Sequence, residues 1–212
     1  EGNIMPVIAF VGNKGGAGKT TLSVNLAAGL ARYAQTAIID ADPQNSSVHW
    51  YANSDQRRVT PVFRAEPELV DQIEKLKNQF DYVIADCPPS VHAPQTDAIL
   101  KIADVAMVPV QPSPVDLWAT THIEQAITEA KQVNPALQAL LIINQLEIRS
   151  TLSQLIREAL AEIEVDVAST PVRKRAVYKS SALEGRTVFD MGKRGAEAAE
   201  ELDQLIKEVI RP

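Results

Sequence analysis

Ten consecutive residues, Gly12-Asn13-Lys14-Gly15-Gly16-Ala17-Gly18-Lys19-Thr20-Thr21, combine small side chains with two ammonium groups and two hydroxyls. That combination suits a polyphosphate. Glycines at 15, 16 and 18 let backbone amides turn inward onto phosphate oxygens, and a helix starting at the end of the loop adds its positive N-terminal dipole. Lys19 would reach the β- and γ-phosphates, and the Thr20 hydroxyl would bind Mg²⁺. The usual G-x-x-x-x-G-K-[ST] spacing puts its first glycine at position 13, where this chain has Asn, with Lys14 behind it. Two further segments carry carboxylates at the ends of apolar runs: Ala37-Ile38-Ile39-Asp40-Ala41-Asp42-Pro43-Gln44 and Asp81-Tyr82-Val83-Ile84-Ala85-Asp86-Cys87-Pro88-Pro89. Nothing structural calls for uncompensated charge there. Asp86 would support the metal through its water shell. Cys87 reads as packing, since no His lies nearby in sequence to activate it.

The elements that must hold these residues are short apolar, β-branched runs alternating with longer helical patterns. Strands are expected at Pro6 to Val11, Thr36 to Asp40, Tyr82 to Asp86, Val105 to Val110 and Gln138 to Asn144, and a weaker one at Val165 to Ala168. Several are apolar almost throughout, as strands buried on both faces are. Helices are expected at Thr20 to Tyr33, Pro67 to Gln79, Pro114 to Val133, Thr151 to Glu162 and Gly195 to Ile210. Pro67 and Pro114 suit the first turn, where a missing amide hydrogen costs nothing. The expected fold is α/β, a doubly wound, mostly parallel sheet with helices on both faces. Its ligands belong beyond the carboxyl ends of the strands.

The form Lys-Gly-Gly-x-Gly-Lys-Thr-Thr resembles the deviant Walker A motif of the ParA/MinD ATPases. The resemblance covers nearly the whole chain from Pro6 to Ile210 and implies ATP and Mg²⁺ as ligands. It implies that Lys14 reaches across a dimer interface to phosphates held by the other subunit, neutralising transition-state charge as an arginine finger does. The Asp40 segment is similar to the family's D-x-D-P-Q element, which implies that Asp40 holds a Mg²⁺-bound water and that Asp42 orients the attacking water. The turn Val108-Pro109-Val110-Gln111-Pro112-Ser113-Pro114 fits a switch loop of this family. Asn144 falls where the family often places an adenine contact, and Pro171 lies in a segment that can pack on the base. An Asn capping a turn and a proline ending a strand read equally well at those two positions.

The chain's 212 residues suit one domain, expected over 6–212, with Glu1 to Met5 reading as an expression scar. A lone cysteine excludes an intramolecular disulfide and a cysteine-cluster metal site, and with them an iron-sulfur reductase reading. No apolar stretch approaches the ~18 residues a spanning helix needs. The net charge of -6 argues against a uniformly basic nucleic-acid binder. The charge is uneven, however: Arg173, Lys174, Arg175, Lys179, Arg186, Lys193 and Arg194 face only Glu184 and Asp190 in their segment. With the resemblance, these residues form the pool of contacts expected for non-specific DNA binding. The leading expectation is a cytoplasmic ATPase, nucleoid-associated in its ATP state. It would form an ATP-bound homodimer, bind DNA and position a plasmid or protein organelle, with a ParB-like or adaptor protein stimulating hydrolysis. A MinD-like membrane cycler would need a basic amphipathic C-terminal helix. Here the polar face carries Glu197, Glu200, Glu201, Asp203 and Glu208, so no membrane partner is expected. An ATP-dependent ligase on the same scaffold is the remaining alternative.

Overall fold

Val7, Ile8, Ala9 and Phe10 have no exposed surface at all, and that burial sets the architecture. The computed structural model describes residues 7–55, 60–118, 120–147 and 154–210. Glu1 to Met5, Pro6 and the Thr151 end of an expected helix lie outside the described residues. The chain begins with β1 (Val7–Phe10), α1 (Lys19–Leu30), β2 (Thr36–Asp40), α2 (Ser46–Ala52), β3 (Val62–Arg64) and α3 (Leu69–Lys77). It continues through β4 (Tyr82–Asp86), α4 (Pro94–Leu100), β5 (Val105–Val110), α5 (Pro114–Trp118) and α6 (Thr121–Val133). β6 (Gln138–Ile143), α7 (Gln154–Ala161), β7 (Asp166–Val167), α8 (Ala176–Leu183) and α9 (Ala196–Val209) complete it.

Among the described residues the strands form one sheet in the order β3-β2-β4-β1-β5-β6-β7, and every pairing is parallel. The chain winds outward from β1 to one edge, returns through β4 and crosses to the other side at β5. The switch in direction therefore falls at β1, where a doubly wound sheet opens its ligand crevice. Successive residues of a strand point to opposite faces. Val7 and Ala9 thus join a core with Ile73, Ile99 and Ile127 from α3, α4 and α6. Ile8 and Phe10 join a second core with Leu22 and Leu26 of α1 and Leu202, Leu205 and Ile206 of α9.

The segments singled out from sequence are carried by three adjacent strands, β2, β4 and β1. In register, Asp40 lies opposite Asp86, and Asp86 opposite Phe10. The charged ends of the apolar runs consequently meet at the carboxyl end of the sheet.

Several expectations are corrected. The single helix from Pro114 to Val133 is two helices, α5 and α6: the Thr120 amide closes a short turn on the Leu117 carbonyl at 3.0 Å, and the Thr120 hydroxyl donates to that same oxygen at 2.6 Å. The turn carbonyl is taken, so the helix stops. α3 begins at Leu69, beyond Pro67, with Glu68 as its N-cap residue. The last strand shortens to Asp166–Val167. α2, β3, α4 and α8 were not anticipated. Ser-Ser-Val-His-Trp-Tyr-Ala consists largely of weak helix formers, and α2 exists because tertiary contacts hold its first turn.

α1 is buried nearly all round, and α9 covers it. A Cβ at Gly29 would stand 2.5 Å from Ile206 Cδ1 and 3.0 Å from Phe189 Cζ, so glycine is what allows this approach. Gly29→Val is expected to destabilise the protein by ~1–3 kcal/mol through overpacking, despite a better helix propensity. Pairing Gly29→Ala with Ile206→Ala should recover stability relative to Ile206→Ala alone. Denaturant unfolding measures both, and additive losses in the pair would contradict the packing account.

Candidate functional site

The loop between β1 and α1 is held open from outside. Gly16 and Gly18 have φ of 79° and 98°, in the left-handed region. A Cβ at Gly18 would lie 2.2 Å from the Asn144 amide nitrogen, so no other residue fits there. That amide donates to the Ala17 carbonyl at 2.7 Å, and Gln145 Nε2 donates to the Gly16 carbonyl at 2.9 Å. Two loop carbonyls are thereby engaged by the residues just past β6. On the other side, Asn13 Oδ1 accepts the Val91 amide at 2.9 Å. A side-chain acceptor is needed at 13, which gives a reason for Asn where the general motif has glycine. Lys19 is 7% exposed and its Nζ donates to the Lys14 carbonyl at 3.2 Å, across the loop. Burial lowers the Lys19 pKa, while Asp86 and Asp42 raise it.

Beneath the loop lie the carboxylates. Asp40 is 2% exposed; its oxygens accept the Asp42 amide at 3.2 Å and the Val48 amide at 3.0 Å. Burial raises its pKa. Asp86 has no exposure and accepts the Ser47 hydroxyl at 2.7 Å. Burial pushes Asp86 up to about 6, the nearby Asp40 charge adds to that, and Ser47, Thr20 and Lys19 oppose it. Its second oxygen, Oδ1, is buried without a hydrogen-bond partner. An orphaned anionic oxygen beside a second carboxylate and a hydroxyl is a hard-oxygen set that fits a small divalent cation and its waters. Thr20, Asp40 and Asp86 would hold that group. Asp42 is half-buried at the rim, accepting the Gln44 amide at 2.9 Å.

The structure thus brings together Gly15 to Thr21, Asp40, Asp42, Asp86 and Asn144. Pro171 lies alongside, because the Val172 amide bonds Ile143 and the Val172 carbonyl accepts the Leu146 amide. Lys14 stands apart from Lys19: its ammonium points out of the loop and pairs with Asp116 Oδ1 at 2.6 Å. The basic residues divide. Arg175 is 17% exposed and paired with Glu197 and Glu201, which leaves little of it for any ligand. Arg173 donates to the Glu147 carbonyl and Lys174 pairs with the Glu147 carboxylate. Arg186 and Arg194 share Glu184. Lys179 and Lys193 are exposed and carry no ion pair among the described residues.

Ser47, Asn13, Gln145 and Asp116 were missed from sequence. Ser47 had a legible signal, a small hydroxyl residue five positions after the Asp42 carboxylate; the others act through contacts of 78 residues or more in separation, which spacing does not reveal.

A glycine-rich phosphate-type loop after the central strand, with two buried carboxylates on neighbouring strand ends, defines a P-loop nucleotide-binding protein. The sequence matches the CobQ/CobB/MinD/ParA nucleotide binding domain over residues 8–188. It is 37% identical over 206 residues to the maintenance of carboxysome distribution protein A of Halothiobacillus neapolitanus, covering 96% of this chain and 95% of the relative. Among solved structures, a Cyanothece McdA variant in complex with ATP superposes with a TM-score of 0.71 at 18% identity, covering 98% and 96% of the two chains. Cobyrinic acid a,c-diamide synthase from Mycobacterium smegmatis, with bound ADP and magnesium, gives 0.74 at 20% identity and covers 98% of each. The chain belongs to the CobQ/CobB/MinD/ParA nucleotide-binding family.

The raised Asp86 pKa makes a prediction for the nucleotide-free, metal-free protein. Between about pH 4, where the unfolded carboxyl ionises, and about 6, the folded state keeps a proton the unfolded state has lost, so stability falls as pH rises. Asp86→Asn should remove this fall and leave the variant up to ~3 kcal/mol more stable above pH 6, by the 1.4 kcal/mol per pH unit of linkage. Chemical denaturation from pH 4 to 7.5 tests it. Parallel curves for the two proteins would show that Asp86 is not the buried anion described.

Proposed function

We propose that this chain is a ParA-type ATPase that dimerises around ATP, binds DNA without sequence preference in that state, and positions a protein cargo. The observation that carries the reading is the division of labour between two lysines of one loop. Lys19 is buried and directed across the phosphate cradle, while Lys14 is 57% exposed and directed out of it. A lysine outside its own cradle is placed to serve a neighbour's. Lys19 and the loop amides bind the phosphates, Thr20, Asp40 and Asp86 hold the cation site, and Asp42 at the rim orients water toward the γ-phosphate. Thr20, Asp40 and Asp86 would hold Mg²⁺, which would supply neutralising charge to the phosphates. Asn144 and Pro171 flank the side of the loop where the base would lie.

The cargo is inferred from the relative from Halothiobacillus neapolitanus, which shares nearly its whole length with this chain and is named for carboxysome distribution. A carboxysome-like protein body is the proposed cargo, with an adaptor protein as the stimulator of hydrolysis. The apolar residues Leu202, Leu205, Ile206 and Val209 of α9 are buried against the rest of the fold, which leaves them unavailable to a lipid surface. Among the described residues no helix is long and apolar enough to cross a membrane.

Asp42→Ala should bind ATP yet hydrolyse it at least ~100-fold more slowly, since it removes a water-orienting group and spares the phosphate contacts. It should accumulate as an ATP-bound dimer in light-scattering chromatography; a monomer under saturating ATP would remove either this role or the dimer.

DNA binding should need ATP, because one basic segment on a protein of net charge -6 neutralises few phosphates, and pairing two segments in a dimer doubles the contacts. Lys179→Glu with Lys193→Glu should weaken binding to random duplex by ~10-fold or more and flatten its salt dependence, with basal hydrolysis and dimerisation retained. In a mobility-shift assay, equal binding with ADP and ATP would count against this mechanism.

A further inference from the structure

Arg186 and Arg194 do not stand free in the basic segment, because one carboxylate lies between them. Glu184 Oε2 is 3.3 Å from Arg186 Nη1, and its other oxygen, Oε1, is 3.6 Å from Arg194 Nη2. The Glu184 side chain is 38% exposed, against 56% for Arg186 and 68% for Arg194, so both guanidinium groups remain open to a ligand from outside. The backbone beneath the cluster is fixed. Glu184 is the C-cap residue of α8, and its amide donates to the Ser180 and Ser181 carbonyls at 3.1 and 3.2 Å. Gly185 turns with a φ of +62° against the Asn53 carbonyl, and the Arg186 amide returns to the Ser181 carbonyl at 2.8 Å. Arg194 precedes Gly195, where a Cβ would come to 2.0 Å from the Val188 carbonyl oxygen. Both arginine backbones are thus set beside glycine contacts, and the side chains are the parts left to move.

Folding gains little from a carboxylate at this position. The C-terminal end of α8 carries the negative pole of the helix dipole, which favours a cation and repels an anion. The ion pairs it makes are exposed, and exposed pairs contribute little to stability. What the carboxylate does change is the charge that Arg186 and Arg194 offer to a ligand. We infer that Glu184 is a positioning residue for these two arginines: it gathers both guanidinium groups on one intramolecular anion, and a backbone phosphate of duplex DNA must displace it to bind them. The inference rests on the proposed ATP-dependent binding of DNA. A phosphate offers the arginines the same planar, charge-assisted hydrogen bonds that a carboxylate does, so the exchange is one of like for like. Arginines already neutralised by Glu184 release fewer counterions when they meet a phosphate, which lowers their contribution to affinity. Lys179 and Lys193 are exposed and carry no ion pair among the described residues, so they meet DNA without this opposition. Glu184 therefore sets how tightly the basic segment grips DNA, and in a dimer its effect enters twice.

The test is fluorescence anisotropy of a labelled random duplex, titrated at several salt concentrations with a slowly hydrolysed ATP analogue present. It compares wild type, Glu184→Gln, the paired change Arg186→Gln/Arg194→Gln, and that pair combined with Glu184→Gln. Glu200→Gln removes the same charge from an exposed position of α9 and serves as the control. Glu184→Gln should bind about 5- to 30-fold more tightly than wild type, as expected when exposed pairs in both subunits no longer oppose the phosphates. Its affinity should also fall more steeply with salt. Glu200→Gln should gain about 2-fold or less, since salt screens a charge away from the contact. The arginine pair variant should bind more weakly than wild type, and adding Glu184→Gln to it should change binding by less than about 2-fold, because the interaction under test is then absent. The denaturant midpoint of Glu184→Gln should match or exceed that of wild type, as the helix dipole requires. A gain no larger than that of Glu200→Gln, an equal gain in the absence of the arginines, or a destabilised Glu184→Gln overturns the role of Glu184. Wild type that fails to bind DNA with the analogue, or undiminished binding by the arginine pair variant, instead removes the reading on which the inference rests.

Discussion

A carboxylate with no exposure to water, one of whose oxygens has no donor, is a costly thing to place at the end of a central strand. Asp86 is that group, and the surrounding structure is arranged around its charge. Ser47 donates to it, Lys19 lies near enough to pull its pKa back down, and Asp40 on the next strand makes it worse. Two buried carboxylates in register oppose folding, and Lys19 offsets only part of their charge. A divalent cation bound there would relieve the rest.

The same constraint explains why the loop above is clamped from both flanks. Backbone amides can face phosphate only if the carbonyls face elsewhere, and here Asn144 and Gln145 take the carbonyls of Ala17 and Gly16. Positive φ at Gly16 and Gly18 makes that turn accessible, and the contact at Gly18 leaves no room for a side chain. Asn144 thus has a task in the nucleotide-free state: it is a strut of the loop.

The strand positions were readable because fully buried strands are apolar throughout, and a charge that ends such a run has no structural excuse. That is why Asp40, Asp86 and the loop from Gly12 to Thr21 stood out. α2 did not, since most of its residues have little helix preference and its helix depends on partners distant in sequence. The expected helix from Pro114 to Val133 had the right pattern along its length, yet one buried threonine that bonds back to Leu117 divides it. The basic segment was read as a net charge. Its ion pairs with Glu147, Glu197 and Glu201 depend on which helix lies beside which, and composition does not carry that information.

α2 shows how the separate pieces are tied together. Its first turn rests on the acidic strand ends, through Ser47 on Asp86 and the Val48 amide on Asp40. One turn further on, the Trp50 indole donates to the Arg186 carbonyl at 3.0 Å, inside the basic segment. Just beyond, the Asn53 carbonyl lies where a Cβ at Gly185 would come to 2.1 Å, and Gly185 has a φ of +62°. Seven residues therefore bridge the carboxylates and the turn that carries Arg186. A helix this short is stiff and has no independent stability, so its position is set by whichever end is held harder. A cation at the strand ends would change the donors Asp40 and Asp86 need, and would thereby act on the first turn. The turn at Gly185 and Arg186 would share the consequence, because close packing at glycine leaves little slack to absorb a shift.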